Sequence, residues 1–118
     1  MLADDNPINQ KVGLSVLQKL GYRADVANNG IEVLSALEQK AYDIIFLDVQ
    51  MPEMDGLEAT RQICQRWSRE RRPCLIAMTG NALMGDREKC LEAGASDYIA
   101  KPVNTEQLLS LLRVWLYR

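Results

Sequence analysis

The sequence predicts an α/β domain in which strands and helices alternate as βαβαβαβαβα around a doubly wound parallel sheet. Three observations carry this. Two short runs, 44–47 (IIFL) and 74–78 (CLIAM), are continuously apolar, as strands covered on both faces are. Segments with apolar residues at helical spacing stand between them and their neighbours. Turn and cap signals punctuate the chain at regular intervals, and strict alternation calls for crossover helices on both faces of a parallel sheet. The length, 118 residues, fits one domain. Such a chain buries about two-thirds of its unfolded surface and needs no disulfide or metal staple.

Each element has its own warrant. Met1-Leu2-Ala3 is the stub of a first strand, and its shortness suggests a strand that begins upstream. Asn6-Pro7 reads as an N-cap followed by proline in the first helical turn. Ile8, Val12, Val16, Leu17 and Leu20 recur at helical spacing until Gly21 stops the helix. Residues 24–27 form a short half-buried strand, and Asn28-Asn29-Gly30 a turn in which glycine can supply a positive φ. Leu34 and Leu37, with Ile31, give the next helix its apolar face, ending near Lys40. After the strand at 44–47, residues 51–56 are a loop and 57–67 a third helix. The strand at 74–78 is followed by a helix over 86–91 closed by Gly94, then a strand at 98–100. Asn104 or Thr105 caps a last helix carrying Leu108, Leu109, Leu111, Leu112 and Trp115.

Composition excludes several classes. Lys plus Arg is 14 and Asp plus Glu 16, so the net charge of −2 lacks the basic excess of a nucleic-acid or membrane-surface binder. No histidine is present, which removes histidine metal sites, histidine general bases and Ser-His-Asp triads. The three cysteines, Cys64, Cys74 and Cys90, are widely spaced and read as reduced thiols. No apolar run approaches the ~18 residues of a membrane span, and Asp4-Asp5 interrupts any signal pattern. A cytoplasmic domain is expected, alone or as the cytoplasmic part of a larger protein.

Ligands of open α/β sheets bind beyond the carboxyl ends of the strands. There the sequence delivers Asp4 and Asp5 after the first strand, Asp48 after the third, Thr79 after the fourth and Lys101-Pro102 after the fifth. Clustered carboxylates repel unless a proton or cation sits among them, and Mg²⁺ is a hard cation suited to such oxygens. A carboxylate, a metal, an ammonium and a hydroxyl are the parts for phosphoryl transfer onto an aspartate. Asp48 is the natural nucleophile, because it ends the most buried strand. Each residue alone is ordinary in a solvated turn; the set, in this order, is not.

The segments Ala3-Asp4-Asp5-Asn6, 44–56 (IIFLDVQMPEMDG), Ala77-Met78-Thr79-Gly80 and 97–102 (DYIAKP) resemble the receiver domain of two-component response regulators over essentially the whole chain. Residues 6–12 and 86–94 resemble receivers carried by hybrid sensor histidine kinases. The resemblance implies a flavodoxin-like strand order 2-1-3-4-5 in a three-layer sandwich, and one receiver domain over 1–118 without an effector domain. It implies that the domain catalyses its own phosphorylation at Asp48, from a phosphohistidine on a histidine kinase or histidine phosphotransfer domain. Asp4, Asp5, Asp48 and the backbone carbonyl of Gln50 would hold Mg²⁺, with Asp5 the likelier direct ligand. Lys101 would contact the phosphoryl group, with a cis peptide bond to Pro102. Thr79 would move to the phosphoryl oxygen and Tyr98 would turn inward, switching the face made by the fourth helix, fifth strand and fifth helix. No nucleic-acid or membrane contact is expected of the domain, and a monomer or weak homodimer is. The first helix and the loop at Pro102-Val103 would dock on the phosphodonor, where Ile8 would serve as an anchor if exposed; a buried Ile8 stays open as the alternative.

Gly80 departs from the alanine more frequent in that family. Gln50 and Asn81 are uncharged amides, so fast self-dephosphorylation is not expected. Arg66, Arg69, Arg71 and Arg72 read as a solvated connector at a helix C-terminus. Met51 and Met54 suit either a soft contact surface or a loop packed on the sheet; Trp115 suits core packing, and Tyr117 an interface. Two alternatives stay open: a stand-alone single-domain regulator, and an aspartyl-phosphate hydrolase of haloacid-dehalogenase type. The hydrolase wants a second aspartate two residues after the first, where this chain has Gln50. A mononucleotide binder needs a phosphate loop after the first strand, where Asp4 and Asp5 would repel phosphate. A receiver-like chain that is never phosphorylated would have lost Asp48, Thr79 or Lys101.

Overall fold

The computed structural model describes residues 1–80, 84–100 and 105–116. Ten elements follow in order: β1 (Leu2–Ala3), α1 (Pro7–Lys19), β2 (Val26–Ala27), α2 (Gly30–Gln39), β3 (Ile44–Asp48), α3 (Gly56–Arg66), β4 (Cys74–Thr79), α4 (Met84–Ala93), β5 (Asp97–Ala100) and α5 (Thr105–Leu116). The five strands form one sheet in the order β2-β1-β3-β4-β5, and every pairing is parallel. This is the expected doubly wound topology.

Successive strand residues face opposite sides of a sheet, and both sides of β3 are apolar. Ile45 and Leu47 join Val33, Leu34, Leu37 and Ile63 in a core beneath α2 and α3. Phe46 joins Leu17, Ile76, Ile99, Leu108 and Leu112 beneath α1 and α5. Ala77 on β4 packs with Cys90 and Ala95 beside α4. Burying one such large side chain contributes roughly 1.5–3 kcal/mol, which is why these strands contain unbroken apolar runs.

Local signals explain the ends of the helices. Asn6 caps α1 by accepting from the Ile8 and Asn9 amides, with Pro7 in the first turn. Gly21 and Gly94, at φ +90° and +113°, take the left-handed backbone that closes α1 and α4. Asp55 caps α3 through the Glu58 amide at 2.8 Å.

Four expectations need correction. β2 is two residues long, Val26–Ala27, because its partner β1 has only Leu2 and Ala3 to pair with them, and Ala24 and Asp25 fall before the start of β1. Ile8 and Val12 are 72% and 47% exposed, so α1 buries only Gly13 and Leu17, with Leu14, Val16 and Leu20 partly covered. Ile31 is exposed as well, and Val33 takes its place in the core of α2. Gly30 has no positive φ. It is needed because a Cβ there would lie 2.7 Å from both Cγ and the carbonyl oxygen of Met54. Met51 is buried and Met54 packs against the same core, which settles their role as loop packing. Trp115 packs against the α1–α5 core and donates its indole N–H to Asp97 at 3.2 Å. Asn81, Lys101, Pro102, Val103, Asn104 and Tyr117 lie outside the described residues.

Candidate functional site: an acidic cleft at the carboxyl edge of the sheet

The sheet brings three of the sequence-predicted carboxylates together. Asp4, Asp5 and Asp48 each present an oxygen within 4.8 Å of the others. Asp4 and Asp48 are buried, at 1% and 7% exposure, while Asp5 is exposed. Parallel pairing explains the convergence: Leu2 and Ala3 lie in register with Phe46 and Leu47, so the next residues, Asp4 and Asp48, leave the sheet side by side.

Each loop is locked locally. The Asp4 amide donates to Ala27 at 3.0 Å, and its carboxylate accepts from the Asn6 amide at 2.9 Å. Asp48 accepts from the Gln50 amide at 3.1 Å. Both are Asx turns, which fix the side chain against its own backbone. Beyond Asp48, Val49 donates to Met78 at 2.9 Å and accepts from Gly56 at 3.1 Å, so α3 starts directly under the loop. Gly56 permits this closeness, because a Cβ there would collide with the Asp48 carbonyl.

Thr79 ends β4 one position beyond Met78, the partner of Asp48, and is buried. Asp5, Asp48, Gln50 and Thr79 line a common cleft, together with Asn6 and Lys89. Lys89, an exposed residue of α4, has no motif to announce it; only the fold brings it to the rim. Tyr98 is half-buried on β5, opposite Ala77, and packs beside Cys90 and Ala95. Lys101 and Pro102 cannot be placed in the cleft, because they lie outside the described residues.

Two buried carboxylates and a third alongside are a costly assembly without a counter-charge. All the donors are hard oxygens, few in number, and those of Asp5 and Asp48 line a cleft, which fits Mg²⁺ with retained waters better than a soft or nitrogen-seeking metal. Sequence reasoning missed the supports: Gln10, Asn28, Asn29 and Glu53 hydrogen-bond around these loops. Asn28 and Asn29 were legible only as part of a turn; Asn29 is also the N-cap of α2, its side chain accepting from the Glu32 amide.

Similar proteins share this arrangement of elements. The family description "response regulator receiver domain" matches residues 1–113. Hybrid signal transduction histidine kinase K of Dictyostelium discoideum is 39% identical over 120 residues, covering 97% of this chain and 10% of that protein. The signal transduction histidine-protein kinase BarA of Escherichia coli is 38% identical over 112 residues, covering 95% and 12%. The chain thus spans about a tenth of the length of these relatives. Among solved structures, the receiver domain of a sensor histidine kinase from Pseudomonas aeruginosa PAO1 is 43% identical, with a TM-score of 0.89 and coverage of 99% and 95%. That structure has a magnesium ion coordinated in its active-site cleft. A co-crystal structure of the Saccharomyces cerevisiae phosphotransfer protein Ypd1 with the receiver domain of Ssk1 is 31% identical, with a TM-score of 0.86 and coverage of 97% and 85%. No described helix is long and apolar enough to cross a membrane. With a family match over nearly its whole length and the acidic cleft at the sheet edge, the chain belongs to the response regulator receiver domain family.

Proposed function

We propose that the chain accepts a phosphoryl group on Asp48 from a phosphohistidine of a histidine kinase or histidine phosphotransfer partner. The observation that carries this is the convergence of Asp4, Asp5 and Asp48 within 4.8 Å of one another, with Asp5, Asp48 and Thr79 lining one cleft. An Asp48 carboxylate oxygen attacks phosphorus; the P–O bond forms as the P–N bond breaks, and the imidazole nitrogen leaves with the electron pair. Asp4, Asp5, Asp48 and the Gln50 carbonyl would hold Mg²⁺. When bound, the ion neutralises charge on the transferring phosphoryl oxygens. The Thr79 hydroxyl hydrogen-bonds a phosphoryl oxygen, and Lys101, next after β5 in sequence, supplies a cation to it. Tyr98 then reports the state of Thr79 to the face made by α4, β5 and α5.

The exposed Ile8, which stands between the cleft-lining Pro7 and Asn9 at the start of α1, and the exposed Val12 suit an apolar contact with the donor. The relatives that are histidine kinases support a place within a hybrid sensor kinase, and the related receiver crystallised with Ypd1 supports a phosphotransfer partner. Incubation with a phosphorylated histidine phosphotransfer protein tests the proposal. Label should pass to the wild-type chain and not to Asp48→Asn. Equal labelling of both would refute Asp48 as acceptor.

A further inference from the structure

The two loops that carry the carboxylates come from different strands, yet both grip one turn, Asn28–Asn29–Gly30, after β2. On one side, Gln10 of α1 donates through Nε2 to the Asp4 carbonyl and, at 2.8 Å, to Asn28 Oδ1. The Asn28 amide group cannot flip away. Its Nδ2 and its backbone N–H both donate to Glu32 Oε1 at 3.1 Å, which leaves Oδ1 toward Gln10. On the other side, Asn29 donates through Nδ2 to Glu53 at 3.2 Å, while its Oδ1 accepts from the Glu32 amide at 2.9 Å. Gly30 donates to the Met54 carbonyl at 2.9 Å, in a contact too close for any side chain at that position. Glu53, at φ +64°, holds a left-handed backbone that a non-glycine residue adopts at a cost.

We propose that this turn sets the spacing of the two carboxylate loops, with Gln10, Asn28, Asn29 and Glu53 acting as positioning residues for the metal site. The proposal rests on the Mg²⁺ reading of the acidic cleft. Mg²⁺ demands near-octahedral geometry at short distances and tolerates little drift in its ligands. Loosening the turn therefore weakens Mg²⁺ binding more than it weakens the fold. None of the four needs to touch the ion: two act through the Asp4 backbone, and two through the loop that follows Asp48.

The test is titration of the whole chain with MgCl₂, followed by NMR, alongside thermal melts in EDTA. Gln10→Met and Asn28→Ala should each weaken Mg²⁺ binding about fivefold, the effect of one net hydrogen bond. The double variant should be hardly weaker than either single one, because both break the same bridge. Glu53→Gly removes the Asn29 contact but relieves the backbone, so it should melt in EDTA at or above wild type while binding Mg²⁺ more weakly. Glu53→Gln keeps an acceptor for Asn29 and should bind Mg²⁺ like wild type. The Glu53 pair decides the matter if Asn28→Ala does not fold. Unchanged Mg²⁺ affinity in folded variants, additive losses in the double variant, or equal losses in Glu53→Gln and Glu53→Gly would overturn the proposal. A wild-type chain that fails to bind Mg²⁺ would instead overturn the metal assignment beneath it.

Discussion

Gly56 is the position at which the smallest substitution should do the most damage. It opens α3 beneath the backbone of Asp48, and its N–H donates to Val49 at 3.1 Å. A Cβ there would collide with the Asp48 carbonyl oxygen, lie 2.9 Å from the Asp48 carbonyl carbon and 3.1 Å from Val49 Cα. All three are backbone atoms of the β3 end, so no side chain can swing away; the loop or α3 must move. Overpacking of this kind costs roughly 1–3 kcal/mol, and the absence of a flexible neighbour puts Gly56→Ala at the upper end. Gly80 is the internal comparison. Among the described residues nothing lies within 4 Å of its Cβ direction, and it has no positive φ. Gly80→Ala should therefore be neutral, or stabilising by up to about 1 kcal/mol through the unfolded chain. Urea melts of the two variants measure the contrast, and phosphorylation of Asp48 should fall only in Gly56→Ala. Equal stability of the two would show that β3 and α3 are not held as closely as described.

Further outcomes follow from the same geometry. Asp48→Asn removes one of three crowded carboxylates, so in EDTA it should melt above wild type; Mg²⁺ at ten times its Kd should stabilise wild type by about 1.4 kcal/mol and the variant less. Asp25 accepts a 2.7 Å hydrogen bond from Tyr42, whose hydroxyl pKa is thereby raised from 10.0 to about 12. The tyrosinate absorbance should show one late-titrating tyrosine that returns toward 10 in Asp25→Asn; the linked stability is present below pH 10 and lost as pH rises through about 12.

Some of this fold is legible because burial leaves a plain mark on composition. β3 and β4 are covered on both faces, so IIFL and CLIAM contain no polar interruption. Asp48 and Thr79 stand where those runs stop, and parallel register then carries them to the edge that Asp4 and Asp5 also reach. Other features leave no such mark. Ile8, Val12 and Val16 follow one another at helical spacing, but at 100° per residue Ile8 stands opposite Leu17; the face that is buried runs through Gly13, pressed against Leu2, and Leu17. Gly30 was open to a conformational explanation until Met54, 24 positions later, proved to be its neighbour. Gln10, Asn28 and Glu53 are common polar residues in loops and helix starts. Their meaning lies in bonds spanning 18 and 24 positions, which no local pattern encodes.

The most direct measurement is the site of phosphorylation itself. The chain is incubated with acetyl phosphate and Mg²⁺, the acyl phosphate is trapped by borohydride reduction, and the modified residue is located by peptide mass. One modification at Asp48, absent without Mg²⁺ and absent from Asp48→Asn, is the predicted result. Stoichiometric modification at another residue, or labelling of Asp48→Asn equal to wild type, would contradict the assignment of this cleft as a phospho-acceptor site.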